Sequence, residues 1–343
     1  YSGLRVFLLG NPFNKTLSLI NEAGVFQRVY TLPRIIFTAL QLIIAPRVLQ
    51  SEFHFVVQSF RDPYVWLGVP FLILIFVLMY KFLKPRKHVI FFSCWFLIGL
   101  LPYSNILIPL HATFMGHWVY FSSMAVAALI SMAIFNIREP RKIRYLVAAI
   151  LIIVMPFYAI KIMERNKEWA DPFLLYQRDV EREPNSFLLH CNLGVEYFRR
   201  DMMDEAKREF IASNSVSPGV GYDVAYNNLG VIYAREGDMR RAISCYKSSI
   251  LLNNYALSYA NLGQLYNNLK MHKDAAFVLK EGAGLYPLNV EIRYQLGVAY
   301  YKDGQALLAR KLFQEVEEMH PGYSQTRMYL KSLHSVIDGD LSF

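Results

Sequence analysis

The first half of this sequence contains very little negative charge. Residues 1–167 carry 5 Asp and Glu against 17 Lys and Arg, whereas residues 168–343 carry 22 against 19. The net charge of +9 is therefore +12 from the first half, offset by −3 from the second. Unbalanced basic residues are typical of the loops that flank membrane spans, so nucleic acid is not expected as a partner.

Cysteine is also scarce. Cys94, Cys191 and Cys245 are too few and too scattered for a disulfide framework or a metal site. The histidines His111 and His117 are six residues apart, which is not a metal-ligand spacing, so no zinc site is predicted. No cofactor and no catalytic residue can be identified from the residues alone.

Long apolar runs, by contrast, are abundant, and 54% of the residues are apolar where 45 to 50% is usual. Several runs are long enough to cross about 30 Å of hydrocarbon. The loops after the first and third runs are basic, which places them in the cytoplasm and places residues 47–63, residues 103–116 and everything after residue 160 outside. The predicted spans are about 64–82, 88–108, 117–137 and 143–160.

Residues 31–46 are harder to assign. Arg34, Thr38 and Gln41 form one polar stripe on a helix. Such a helix either lies at the membrane interface or forms a fifth span whose stripe packs against its neighbours. The segment 1–167 is predicted to be a membrane domain under either alternative.

The second half contains an internal repeat. The pair Leu-Gly recurs at spacings of 36, 33 and 34 residues, and a tyrosine, an alanine and a large apolar residue follow each pair at fixed distances. A period of 34 is that of the tetratricopeptide repeat, a pair of antiparallel helices in which a small residue faces a large one. The four Leu-Gly pairs begin at Leu193, Leu229, Leu262 and Leu296.

This pattern defines a repeat domain over residues 168–343. The fold class is all-α: a polytopic transmembrane helix bundle followed by a tetratricopeptide-repeat α-solenoid. Asp201 and Lys270 replace glycine at two inter-helix turns, and Asn254 replaces one terminal proline. The predicted elements are a half-repeat 170–184, repeats 187–218, 223–254, 256–287 and 290–321, and a closing helix 323–336.

Spans that lead into such repeats resemble the transmembrane and tetratricopeptide-repeat O-mannosyltransferase family and its bacterial relatives. The family's third stretch usually has Glu where Gly116 stands here and Pro where Ser122 stands. The residues that carry the likeness are Asp62-Pro63-Tyr64-Val65-Trp66-Leu67-Gly68, Leu101-Pro102-Tyr103-Ser104-Asn105, Pro109-Leu110, His117-Trp118-Val119-Tyr120, Trp169 and Asp171.

The resemblance implies an integral-membrane glycosyltransferase with a lipid-linked sugar donor, of which this chain is expected to be a C-terminal portion. The family's catalytic acidic residues belong to an upstream loop, so none is carried over to this sequence. A divalent metal is expected only in the complete enzyme. The implied setting is a membrane with the repeats on the extracytoplasmic side, a bacterial inner membrane being favoured over the endoplasmic reticulum. The alternative is a non-catalytic membrane-anchored scaffold for protein–protein interaction.

Two sets of residues are candidate binding sites. Cationic and histidine side chains in the outer loops are favoured as interfacial anchors, and the alternative is that they contact the phosphates of a lipid-linked donor: Arg47, His54, Arg61, His111 and His117. The residues before each Leu-Gly pair, Asn192, Asn228, Asn261 and Gln295, would form an amide ladder on stacked first helices. This ladder resembles the asparagine ladder of repeat-bearing glycosyltransferases and would hold a peptide acceptor, unless the amides serve only helix packing.

Overall fold

The structure is a computed structural model of the 343-residue chain. It describes residues 20, 23–46, 49–106, 110, 112–135, 140–217 and 221–339. The described chain is nearly all helical, as the repeat period and the apolar runs predict, apart from one short pair of strands. It divides into two compact units, the first mainly residues 15–200 and the second mainly residues 201–343.

The first unit contains eight helices among its described residues. The helices are α1 (Val25–Ile44), α2 (Pro63–Trp66), α3 (Gly68–Phe82), α4 (Arg86–Leu100), α5 (Tyr120–Phe135), α6 (Pro140–Ala170), α7 (Pro172–Arg182) and α8 (Phe187–Arg199). The strands β1 (Glu52–Phe53) and β2 (Phe114–Met115) pair antiparallel, with Glu52 opposite Met115. This pairing joins the two segments that were predicted to lie outside the membrane.

Two helical stretches in the described chain, Pro63–Phe82 and Gly116–Phe135, are long and apolar enough to cross a membrane. Only 6% of the first and 28% of the second is buried. A helix in the core of a soluble protein would be covered on most of its surface. The exposed apolar surface of these two helices therefore suggests an association with a membrane.

Two helices differ in length from the predicted spans. Helix α4 ends at Leu100, short of the predicted end at residue 108, and a 3-10 turn over Leu101–Tyr103 follows it. Proline at position 102 accounts for this ending, because its ring removes a backbone donor and clashes with the preceding turn. Helix α6 instead runs on for 31 residues from Pro140 to Ala170, ten residues beyond the predicted end at 160.

Helix α1 packs on the first unit through Ile35 and Ala39, which are fully buried in one cluster with Leu100 and Phe114. Its polar stripe is partly satisfied within the protein: Thr38 donates to the Arg34 carbonyl at 2.9 Å, and the Arg34 guanidinium lies 4.3 Å from the Phe55 ring centre. The interfacial helix and the fifth span both remain predictions.

The second unit contains the described helices α9 (Met203–Val216), α10 (Asp223–Arg235), α11 (Met239–Asn253), α12 (Ala256–Asn268), α13 (His272–Leu285), α14 (Val290–Lys302), α15 (Ala306–Met319) and α16 (Thr326–Gly339). Helices α10 to α15 form three helix pairs. Because each second helix also packs against the first helix of the following pair, the pairs build one continuous core.

The contact between the helices of each pair depends on glycine. A Cβ atom added at Gly263 would lie 2.4 Å from Leu279, and one added at Gly297 would lie 2.9 Å from Phe313. The repeat pattern predicts this pairing of a small with a large residue. The predicted turn positions without glycine, Asp201 and Lys270, both adopt left-handed backbone angles, with φ of 60° and 61°.

Candidate functional site

Five outer-loop side chains were predicted to bind a lipid-linked donor. Arg47 and His111 lie outside the described residues. His54 is buried, and its Nε2 atom lies 3.1 Å from Glu52 Oε2. Arg61 and His117 are exposed, the first beside the Phe60 ring and the second beside Trp118. No hydrogen bond or ion pair joins any two of the three described side chains, so the structure does not show them as one site.

The loop containing His54 is fixed by its neighbours. Glu52 is 6% exposed and accepts a hydrogen bond from the Ser186 hydroxyl at 2.8 Å, besides its contact with His54. Glu183 accepts from the His54 main-chain nitrogen at 3.3 Å. Because Ser186 also caps the start of α8, the loop and the first repeat helix share these contacts.

A second group of charges lies next to this loop, and we call Arg165, Glu168, Asp179 and Arg182 the charge cluster. Asp179 is fully buried and accepts two hydrogen bonds from Arg165, at 2.8 and 2.9 Å. Glu168 accepts from both arginines, and Ser51 donates to Asp179 from the loop. The charges therefore neutralise one another in a protected site that joins the end of α6, helix α7 and the loop.

The charge cluster changes the acidity of its members. The hydrogen bond from Arg182, aided by that from Arg165, lowers the pKa of Glu168 to about 2 against the burial that opposes it. Burial alone would lower the pKa of Arg165, but its hydrogen bonds to Asp179 and Glu168 outweigh this effect and raise it. The four side chains all have partners of opposite charge, which is typical of a structural ion-pair network.

The sequence prediction missed the charge cluster. One signal was present: on the amphipathic helix α7, Asp179 follows Leu175 by one turn on the face that is buried. The cluster ties α7 to the end of α6, and the first compact unit extends to Arg200.

Several residues on which the predicted family resemblance rests have structural roles here. Asp62 accepts a hydrogen bond from the Tyr64 nitrogen and so caps α2. The rings of Tyr103 and Trp118 stack with their centres 4.7 Å apart. Asn105, 1% exposed, donates to the Thr113 carbonyl at 2.8 Å and accepts from the Leu110 nitrogen at 2.7 Å. Asn105 thereby ties Leu110 and Thr113 to the segment that follows α4.

The predicted amide ladder is distributed over both units. Asn192 is half-buried on α8 in the first unit. In the second unit, Asn228 and Asn261 are half-buried, whereas Gln295 is 7% exposed. Gln295 donates to Glu291 at 2.9 Å and accepts from Asn267 at 3.4 Å, so both ends of its amide already have partners. Gln295 differs in this respect from Asn228 and Asn261.

The part of the chain that the structure describes contains no group of three or more His, Cys, Asp or Glu side chains placed to hold a metal ion. Three of the tyrosines that follow the Leu-Gly pairs pack inward in the second unit. Tyr266 is 5% exposed, and Tyr233 and Tyr300 lie against the same core.

Comparison with known proteins identifies the repeats. Residues 224–255 match the family model of the tetratricopeptide repeat, so the chain contains at least one such repeat, formed by α10 and α11. The chain is also 23% identical, over 257 residues, to the protein O-mannosyl-transferase TMTC3 of Mus musculus. That match covers 72% of this chain but only 27% of the mouse protein.

Among solved structures, the C-terminal part of a tetratricopeptide-repeat protein from Cytophaga hutchinsonii is similar, with a TM-score of 0.44 and 18% identity over 54% of this chain and 73% of that one. YrrB, described as a TPR protein with an unusual peptide-binding site, has a TM-score of 0.40 and 17% identity over 50% of this chain and 88% of its own.

Proposed function

We propose that this chain is the C-terminal part of a membrane glycosyltransferase, similar to the protein O-mannosyltransferases, that uses a lipid-linked sugar donor. Its repeats would bind the protein acceptor. The observation that carries this proposal is the extent of the match to the mouse enzyme. The matched share of this chain exceeds the whole of residues 168–343, so it includes part of the membrane half and not the repeats alone.

Two features of the structure support this proposal. The exposed apolar helices Pro63–Phe82 and Gly116–Phe135 suit a chain that works at a membrane, where a lipid-linked donor is found. Tetratricopeptide repeats in general bind peptides or proteins, and the half-buried Asn228 and Asn261 offer polar groups to such a partner. Exposed Arg61 and His117 remain the described candidates for contact with donor phosphates, and no catalytic residue is assigned.

The test is a mannose-transfer assay. It uses membranes from cells that express the open reading frame containing this chain. Polyprenyl-phosphate-mannose serves as the donor and unstructured serine- and threonine-rich peptides serve as acceptors. The proposal expects mannose on peptide hydroxyls in membranes that contain the protein and none in membranes without it. Binding of peptides without any transfer from this or other lipid-linked sugars would favour the non-catalytic scaffold instead.

A further inference from the structure

An apolar groove lies between helix α1 and the start of the Pro63–Phe82 stretch. Its volume of about 410 Å³ is within the range of about 300–1,000 Å³ that is usual for small-molecule sites. Aromatic rings build its wall: the centre of the Phe37 ring lies 5.8 Å from that of Tyr64 and 6.2 Å from that of Phe71. Gly68 leaves room for the Phe37 ring, since a Cβ there would lie 2.7 Å from it. We call this the α1 groove, and its lining residues are Phe37, Pro63, Tyr64, Leu67, Gly68 and Phe71.

The α1 groove is open on the side that a membrane would cover. Tyr64, Leu67 and Phe71 line the groove and are nevertheless 40%, 53% and 51% exposed. All three belong to a stretch that is long and apolar enough to cross a membrane. A hydrocarbon chain of the bilayer can therefore enter the groove sideways, without passing through water.

A cation without a counter-charge lies beside the groove. Arg34 of α1 is half-buried, and its guanidinium carbon lies 5.4 Å from the centre of the Tyr64 ring and 4.3 Å from that of Phe55. Within the part of the chain that the structure describes, the guanidinium forms no hydrogen bond and no ion pair. The two rings attract its charge but accept none of its N–H groups in a conventional hydrogen bond. A half-buried arginine of this kind has donors to offer to a ligand.

The positions of Arg34 and the groove match the two parts of a lipid. Tyr64 is the second residue of the apolar stretch, where a spanning helix meets the headgroups, so Arg34 lies at headgroup depth. Leu67 and Phe71 follow Tyr64 by about one and two helical turns, at the depth of the hydrocarbon. Arginine suits a phosphate in particular, because its planar fork donates two parallel hydrogen bonds.

We propose that the α1 groove binds one membrane phospholipid of net negative charge, with its phosphate on Arg34 and an acyl chain along Leu67 and Phe71. A zwitterionic headgroup is the poorer ligand, because its own cation competes with Arg34 for the phosphate. A bilayer lipid is favoured over a sugar donor, since transfer needs an acidic group at the sugar. Asp62, the acidic residue next to Tyr64 in sequence, is engaged in capping α2. The inference requires association with a membrane and does not require sugar transfer.

The experiment places the full chain in nanodiscs made of equal amounts of phosphatidylglycerol and phosphatidylcholine. Native mass spectrometry then counts the lipids of each kind that stay bound when the nanodisc is removed. The wild-type protein should retain one phosphatidylglycerol in preference to phosphatidylcholine by about tenfold, the worth of one hydrogen bond to a charged group. Arg34→Gln should reduce this preference to about onefold.

Two matched controls separate the site from general effects of charge and bulk. Arg86 also lies against a tyrosine, 5.2 Å from the Tyr80 ring centre, but near the other end of the stretch and away from the groove, so Arg86→Gln should keep the tenfold preference. Leu67→Trp fills the groove and should abolish retention of the lipid while Arg34 stays in place. Ile73→Trp adds the same bulk at a similarly exposed position outside the groove and should retain the lipid like wild type.

Several results would overturn the proposal. Equal retention of both phospholipids by the wild-type protein, or an undiminished preference in Arg34→Gln, would show that Arg34 does not select the headgroup. Equal retention by Leu67→Trp and Ile73→Trp would show that the chain does not lie in the groove. Polyprenyl phosphate, added as a minor lipid, would refute the choice of a bilayer phospholipid if it displaced phosphatidylglycerol from the wild-type protein. Circular dichroism shows that each variant retains its helices, and Leu67→Trp tests the site even if Arg34→Gln does not fold.

Discussion

At the scale of single residues, Asp179 is the most consequential side chain of the charge cluster. It is fully buried, and its two carboxylate oxygens accept hydrogen bonds from the two terminal nitrogens of the Arg165 guanidinium. Removing one partner of such a pair leaves an uncompensated charge away from water, whereas replacing both by apolar groups avoids that penalty.

We expect Asp179→Ala to destabilise the first unit by about 3–5 kcal/mol, because it leaves Arg165 buried without its main partner. The double variant Asp179→Leu with Arg165→Met should recover most of this loss. Hydrogen exchange of the α6 and α7 amides in the full chain measures the loss of stability in the single variant and its recovery in the double variant. If the double variant is destabilised as much as Asp179→Ala, the charged pair contributes more to the stability of the first unit than apolar side chains at the same positions do.

Glu168 gives the charge cluster a dependence on pH. Its pKa falls from 4.5 to about 2 in the folded protein, so the folded state favours the ionised form. The stabilisation from Glu168 is therefore complete above about pH 4.5 and is lost as the pH falls toward 2. In Glu168→Gln, exchange of the α7 amides should vary less over this range than in wild type. An unchanged pH profile would contradict the assignment.

At the scale of helices, the glycine of each Leu-Gly pair sets how closely two helices approach. At Gly263 an added Cβ would lie 2.4 Å from Leu279, which is itself fully buried, so the packing around it would have to shift. We expect Gly263→Ala to destabilise the second unit by about 1–3 kcal/mol through overpacking.

Gly284 is the matched control for this substitution, because it also lies in a helix but has nothing within 4 Å of an added Cβ. Gly284→Ala should be neutral or stabilising, by up to about 1 kcal/mol, since alanine has the higher helix propensity. Hydrogen exchange of the α12 and α13 amides in the full chain compares the two. Similar protection in both variants would show that the close contact is not needed.

Sequence reasoning correctly predicted tetratricopeptide repeats in the second half, because a fixed spacing of Leu-Gly, tyrosine and alanine reflects the packing between neighbouring helices. It predicted the membrane half less well. The end of α4 depends on Pro102 and on a loop held by Asn105, and the length of apolar sequence gives no measure of either. The contact between the charge cluster and the loop of Ser51 was missed because Ser51 and Arg165 are 114 residues apart in the chain.

For the candidate binding residues too, the sequence predicted positions but not the contacts that the side chains make. The ladder positions follow from the repeat, but the hydrogen bonds from Asn261 to Asn227 and from Asn267 to Gln295 arise only from packing between helices. His54 was grouped with Arg61 and His117 because all three lie in outer loops. Its burial against Glu52 became visible only when the loop was seen beside α8.

At the scale of the whole molecule, the proposed function combines a membrane-associated part with repeats that hold an acceptor. The chain spans only 27% of the mouse protein it resembles, so sugar transfer is a proposal. If the repeats hold the acceptor, a specific effect on the kinetic constants of transfer is expected. Residues that bind the acceptor without touching the reacting atoms should affect the KM for the peptide and not kcat.

The most direct test of the central claim is therefore the peptide dependence of mannose transfer by the double variant Asn228→Ala with Asn261→Ala. Loss of two hydrogen bonds predicts a KM for the peptide that is raised about 10- to 100-fold, with kcat and the KM for the lipid-linked donor unchanged. The control is Asn268→Ala, which changes an exposed asparagine on helix α12, and it should behave as wild type. An unchanged peptide KM in the double variant, or no transfer by the wild-type protein, would contradict the account.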